Sequence, residues 1–161
     1  MQLSKTFPDI TIDDAYAISA LATKIRVAAG HKVIGNKIGL TSKAVQQQFG
    51  VDRPDHGVLF TDMEFHDGDE LPMSRLMQPK AEGEVAFVVG RDLDDAELSW
   101  GRFLLGIEYA LPALEIVDSA IVDWKITLVD TVADNASCGL YVLGTEPRRV
   151  SDLDLLTLGM S

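Results

Sequence analysis

Between Thr11 and Ala29 the apolar positions fall at helical spacing, with Ala15, Ile18, Ala22, Ile25 and Ala29 on one stripe. Thr11 is an N-cap residue type, Asp13 and Asp14 suit the positive end of a helix, and Gly30 supplies a stop. The pattern predicts an amphipathic helix that buries this stripe. Val33 to Leu40 reads as a strand carrying one charge, Lys37. Thr41 or Ser42 can cap a short helix that reaches Phe49 and closes at Gly50. Pro54-Asp55-His56-Gly57 has the composition of a turn, and two short strands are expected around Asp67-Gly68.

The clearest strand is Glu82 to Val89, EGEVAFVV. Alternation places Glu82, Glu84, Ala86 and Val88 on one face and Gly83, Val85, Phe87 and Val89 on the other. Ser99 caps a predicted helix from Trp100 to about Ala110, which Pro112 breaks. Ala113 to Val117 follows as a buried strand containing Glu115. Asp130 to Ser137 is polar and reads as turn-rich, Gly139 to Leu143 as a strand, and Leu155 to Met160 as the start of a further element.

Composition narrows the classes. The chain has 161 residues, enough for one domain with its own core, and 47% of them are hydrophobic. With 25 acidic against 14 basic residues, the net charge of −11 repels a phosphate backbone, so no nucleic-acid partner is expected. Cys138 is the single cysteine, which excludes an internal disulfide and a multi-cysteine zinc site. No apolar run is long enough to span a membrane, and residues 1–14 carry no secretory pattern, so a cytoplasmic location is expected.

Two carboxylates at i and i+2 on an otherwise apolar strand lie about 7 Å apart at their Cα atoms. Glu82 and Glu84 admit two readings: a solvated face, or a buried pair that requires a hard divalent cation. Glu115, alone in ALEIV, needs a partner, either a basic residue or the same cation. Lys37 in VIGNKIGL is a snorkelling lysine or a cation placed to bind a substrate carboxylate. Asp55 is a turn residue or a catalyst. His31, His56 and His66 show no ligand spacing, and Ser42 and Ser137 lie in no nucleophile elbow.

Five segments together carry a resemblance: NKIGLTSKAVQQQFGV, RPDHGVL, QPKAEGEVAFVV, PALEIVDSAIVDWKI and DTVADNASCGLYVLG. In this order they resemble the hydratase and decarboxylase branch of the fumarylacetoacetate hydrolase family, from about Pro8 to Met160. The resemblance implies an α+β fold in which a mixed β-sheet rolls into an unusual barrel with helices outside. It implies three carboxylate ligands for Mg²⁺ or Mn²⁺, matching Glu82, Glu84 and Glu115, with Lys37 and Asp55 as active-site residues. Ser137 is assigned as a substrate contact. The implied activity is hydration of 2-hydroxypenta-2,4-dienoate to 4-hydroxy-2-oxopentanoate in aromatic meta-cleavage catabolism. Decarboxylation of a 2-oxo-3-enedioate, or a truncated fragment without activity, is the alternative. A homo-oligomer is implied, with the sister decarboxylase as a further partner.

Two departures stand out. Ala120 follows VDS where the family carries Arg, and the family continues well beyond LTLGM. Residues 1–161 are therefore expected to form a single domain with an incomplete barrel. Leu155, Leu156, Leu158 and the strand from Gly139 to Leu143 are expected to be exposed, and the chain is expected to associate and to turn over poorly. Sedimentation of the purified chain checks this; a monomer with full turnover would contradict it.

Overall fold

The computed structural model describes residues 2–94 and 98–159. After a one-turn helix α1 (Leu3–Thr6), Thr11 opens α2 (Ile12–Ala28) with a reciprocal cap. Its hydroxyl accepts from the Asp14 N–H, and the Asp14 carboxylate accepts from the Thr11 N–H at 3.0 Å. Of the expected apolar stripe, α2 buries only Ala15. Ala15 and Ser19 are its buried residues, whereas Ile18, Leu21, Ile25 and Val27 are exposed. The reason is the partner: α2 packs on the short helix α5 (Leu128–Ala133), and small residues let the two backbones approach.

β1 (Val33–Gly39) pairs antiparallel with β2 (Asp55–Phe60), so Lys37 lies opposite Gly57 and Gly39 opposite Asp55. Between them α3 (Lys43–Phe49) is capped by Ser42, whose side chain accepts from the Val45 N–H, and ends at Gly50 with φ 67°. Pro54-Asp55-His56-Gly57 is thus not a turn. Asp55 to Gly57 are strand residues, because pairing to β1 outweighs local turn preference.

The second sheet has the order β3-β6-β5-β4. β3 (Glu64–His66) runs parallel to β6 (Cys138–Leu143); β5 (Ile107–Val117) is antiparallel to both β6 and β4 (Lys80–Val89). One short strand, not two, flanks Asp67-Gly68; its partner is β6, far along the chain. α4 (Trp100–Gly106) is capped by Ser99 but stops before Ala110, and β5 runs through Pro112. The Pro112 carbonyl accepts from the Gly144 N–H at 2.9 Å. The missing Pro112 N–H would point to the same flank, at Gly144 just past the end of β6, so only the reciprocal bond of this terminal pair is forgone and the pairing with β4 is untouched.

Phe60, Met63, Ile116, Leu140 and Tyr141 form the core cluster, between the first sheet and the second. Because β6 is interior to its sheet, the predicted exposure of Gly139 to Leu143 does not hold; Leu156 and Leu158 are exposed as expected, Leu155 half-buried. The predicted element from Leu155 onward is a turn and coil among the described residues; Met160 lies outside them. The fold is α+β with two sheets, and no closed barrel forms among the described residues. None of the described helices is long and apolar enough to cross a membrane.

Asp130 to Ser137 is not a plain turn: it contains the end of α5 and a 3-10 turn at Asn135–Ser137. Asp130 fastens the N-terminal helix to this region. Its carboxylate accepts from the N–H and hydroxyl of Ser4 and from the N–H and hydroxyl of Thr127, at 2.7–3.2 Å. Burial raises its pKa, but these bonds together outweigh burial and pull it from 3.8 down to about 2. The stabilisation is complete above the ordinary value of 3.8 and is lost as pH falls through about 2. Asp130→Ala is expected to cost about 2–4 kcal/mol, since four donors lose an ionised acceptor. Urea unfolding at neutral pH measures it, and the difference from wild type should shrink on acidification towards the Asp130 pKa.

Candidate metal centre and active site

Register alone brings the glutamates together. Glu82 on β4 lies directly opposite Glu115 on β5, and Glu84 follows on the same face two residues on. Carboxylate oxygens of all three lie within 4.8 Å of one another. Glu82 is exposed, Glu84 half-buried and Glu115 buried. Like charges directly opposite each other destabilise a sheet. Burial and the neighbouring Glu82 push the Glu84 pKa up; burial likewise pushes that of Glu115 up, against the pull of Lys37.

Lys37 comes from the other sheet. Its Nζ lies 3.2 Å from Glu115 Oε1 and donates to the Ala136 carbonyl at 3.1 Å. The side chain is 11% exposed, so it does not snorkel to solvent. Asp55 is buried, and its Oδ1 has no hydrogen-bond donor in the protein. Burial raises its pKa, and the nearby Lys37 charge opposes that shift. Gly39 makes the meeting of these two possible. A Cβ there would collide with Asp55 Oδ1 and lie 3.1 Å from Lys37 Nζ, so the two groups close over a bare backbone.

The donor set suits a hard divalent cation. Three oxygen ligands converge, and Glu115 Oε1 is buried with the Lys37 ammonium facing it at 3.2 Å outside hydrogen-bond geometry, leaving lone pairs for a metal.

Ser137 is buried, and its hydroxyl shares a 2.9 Å hydrogen bond with Thr131. Two further groups carry no sequence signal of their own. The Cys138 thiol lies against Glu115; burial and then the Glu115 charge push its pKa far up, so it stays protonated. A bulge in β6 skips Gly139 and turns Cys138 to the Glu115 side of the sheet. Gly139 is required there, since a Cβ would lie 2.7 Å from the Ile116 carbonyl. The second is the backbone at Asn135, Ala136 and Ser137, three successive residues with φ of 53–55°. That left-handed conformation costs about 1–2 kcal/mol per non-glycine residue. It aims the Ala136 carbonyl at Lys37. The histidines are peripheral: His31 pairs with Asp62, His66 with Glu64 and Asp69, and His56 stacks on Tyr16.

The chain resembles known proteins in both sequence and structure. The chain matches no family model. It is 54% identical over 158 residues to a 2-keto-4-pentenoate hydratase of Paraburkholderia xenovorans, covering 98% of this chain and 59% of that protein. It is 49% identical over 153 residues to a 2-hydroxypent-2,4-dienoate hydratase of Pseudomonas putida, covering 94% of this chain and 69% of that protein. In structure it superposes with a TM-score of 0.91 and 32% identity on 4-oxalocrotonate decarboxylase from Pseudomonas putida G7, complexed with magnesium and adipate. The match covers 96% of this chain and 59% of that one.

The chain belongs to the hydratase and decarboxylase branch of the fumarylacetoacetate hydrolase family. Within that branch, its sequence relatives at about half identity are hydratases of 2-keto-4-pentenoate and related dienoates. It spans 59% of the length of the first of them.

Gly39→Ala is expected to force Asp55 out of its place over β1 and to destabilise the fold by about 1–3 kcal/mol. Urea unfolding compares it with wild type; an unchanged midpoint would mean Asp55 swings clear at no cost.

Proposed function

We propose that this chain carries the catalytic core of a metal-dependent hydratase converting 2-hydroxypenta-2,4-dienoate to 4-hydroxy-2-oxopentanoate. The observation that carries the reading is the register match of Glu82 with Glu115, with Glu84 beside them and Lys37 reaching in from the other sheet. In this reading Glu82, Glu84 and Glu115 hold Mg²⁺ or Mn²⁺. When bound, the ion supplies a Lewis acid for the substrate's carboxylate and 2-oxygen.

Lys37 has three donors, of which Ala136 takes one and Glu115 faces another. The third is left for a substrate oxygen. Asp55, buried and with one oxygen undonated, accepts and returns protons beside it. Two proton movements are needed. The 2-hydroxyl loses its proton while the terminal carbon gains one, giving an α,β-unsaturated ketone. Water then adds, its hydroxyl to the β carbon and its proton to the α carbon. Lys37 and Asp55 handle both transfers, and Ser137 lies at the substrate's edge. The two sheets belong to the family's rolled barrel, residues 1–161 act as one domain, and the assembly is a homo-oligomer of a cytoplasmic meta-cleavage pathway.

The decarboxylase reading rests on the structural neighbour, and the hydratase reading on the nearer sequence relatives. Assay of the purified chain with Mg²⁺ or Mn²⁺, on the dienoate and on a 2-oxo-3-enedioate side by side, separates them. Hydration without CO₂ release is expected; CO₂ release alone would overturn the assignment.

Glu84→Gln is expected to abolish metal-dependent turnover and leave the fold intact, as read by metal titration and circular dichroism. Lys37→Met should lower turnover by about 100-fold or more without weakening metal affinity. Turnover near wild type would reduce Lys37 to a buried counter-charge. Because Glu84 and Glu115 titrate above their ordinary 4.5, protons compete with the metal over a range reaching above that value. Metal affinity measured by calorimetry should therefore weaken as pH is lowered towards 4.5.

A further inference from the structure

The proton-handling pair and the carboxylate cluster stand on different sheets. Lys37 and Asp55 belong to β1 and β2, and the three glutamates to β4 and β5. Something must hold one sheet in register with the other, and the Asn135 turn is built on both. On one side, the Asn135 side chain mimics a strand: its Oδ1 accepts from the Val58 N–H at 2.7 Å, and its Nδ2 donates to the Val58 carbonyl at 2.9 Å. Gly57 leaves room for this, since a Cβ there would collide with the Asn135 carbonyl. On the other side, the turn grips the chain leaving β5. The Asp118 N–H donates to the Ser137 carbonyl at 2.8 Å, and the Asp134 carboxylate accepts from the Ala120 N–H at 2.8 Å. Between the two grips, the left-handed Ala136 presents its carbonyl to Lys37 Nζ.

We infer that Asn135 is a positioning residue: its side-chain clamp on Val58 fixes where Lys37 stands relative to the glutamate cluster. Asn135 touches neither substrate nor cation; it acts through the backbone of β2 and the Ala136 carbonyl. The inference rests on the role proposed above for Lys37. Asn suits the position twice over. Its amide supplies both a donor and an acceptor, and it tolerates φ of 55° better than other non-glycine residues.

Asn135→Gly separates the clamp from the strain, because glycine adopts this backbone freely while losing both bonds to Val58. With the magnesium-loaded chain and the dienoate, kcat is expected to fall about 10- to 100-fold with KM within about twofold, as misplacement of a reacting group predicts. Combined with Lys37→Met, Asn135→Gly should cost no further turnover, since the residue it positions is gone. A second measurement needs no turnover: amine acylation read by mass spectrometry, with Lys125, which is exposed, as internal reference. Lys37 should be protected in wild type and label about tenfold faster in Asn135→Gly, as a locally opened site does. Magnesium affinity should not weaken, since the three glutamates are untouched. Unchanged Lys37 labelling, or the same loss of turnover with and without Lys37, would overturn the inference. If wild type with magnesium fails to hydrate the dienoate, the functional reading falls, while the labelling comparison still decides whether Asn135 positions Lys37.

Discussion

The local electrostatics govern this structure. Three glutamates and one aspartate gather around a single ammonium, that of Lys37, among the described residues. Two of the glutamates are cross-strand neighbours, the arrangement a sheet tolerates least. Lys37 meets one of these charges directly, at Glu115, and moderates two more, at Asp55 and Glu84. The remaining imbalance favours either protonation or a bound cation, and both follow from one fact: negative charge was brought out of water faster than positive charge was supplied.

The surrounding backbone bends to serve that arrangement. Gly39 and Gly57 are bare where side chains would collide with Asp55 and with the Asn135 turn. Gly139 allows the bulge that turns Cys138 toward Glu115. Three residues accept a left-handed conformation so that one carbonyl can face Lys37. Such concessions cluster where β2, β5 and the 135–137 turn meet, and the core of Phe60, Met63, Ile116, Leu140 and Tyr141 beneath them is ordinary. Strain near the charged groups is borne by packing elsewhere.

Much of this was legible along the chain. The caps at Thr11, Ser42 and Ser99 start helices, and the alternation of Glu82 to Val89 is a strand, because both signals are local. The three glutamates and Lys37 stand out as charges among apolar neighbours, and the fold joins them. What failed depended on distant partners. Pro54-Asp55-His56-Gly57 is strand because β1 lies alongside it, and β5 runs through Pro112 because its missing donor falls beyond the end of β6. The stripe of Ile18 and Ile25 is exposed because α2 meets its neighbour through Ala15 and Ser19. Asn135 lies in DTVADNASCGLYVLG but nothing there singles it out, because its role exists in a contact with Val58 far along the chain.

The burial of the three glutamates is graded, from open Glu82 through Glu84 to enclosed Glu115. Among the described residues β4 is also the edge strand of its sheet, and Glu82 on it is exposed. A cation held as proposed by these glutamates would be reached from that edge without the chain opening. Its residence would then be an exchange equilibrium and not an event of folding, and a chelator would remove it from a chain that stays folded.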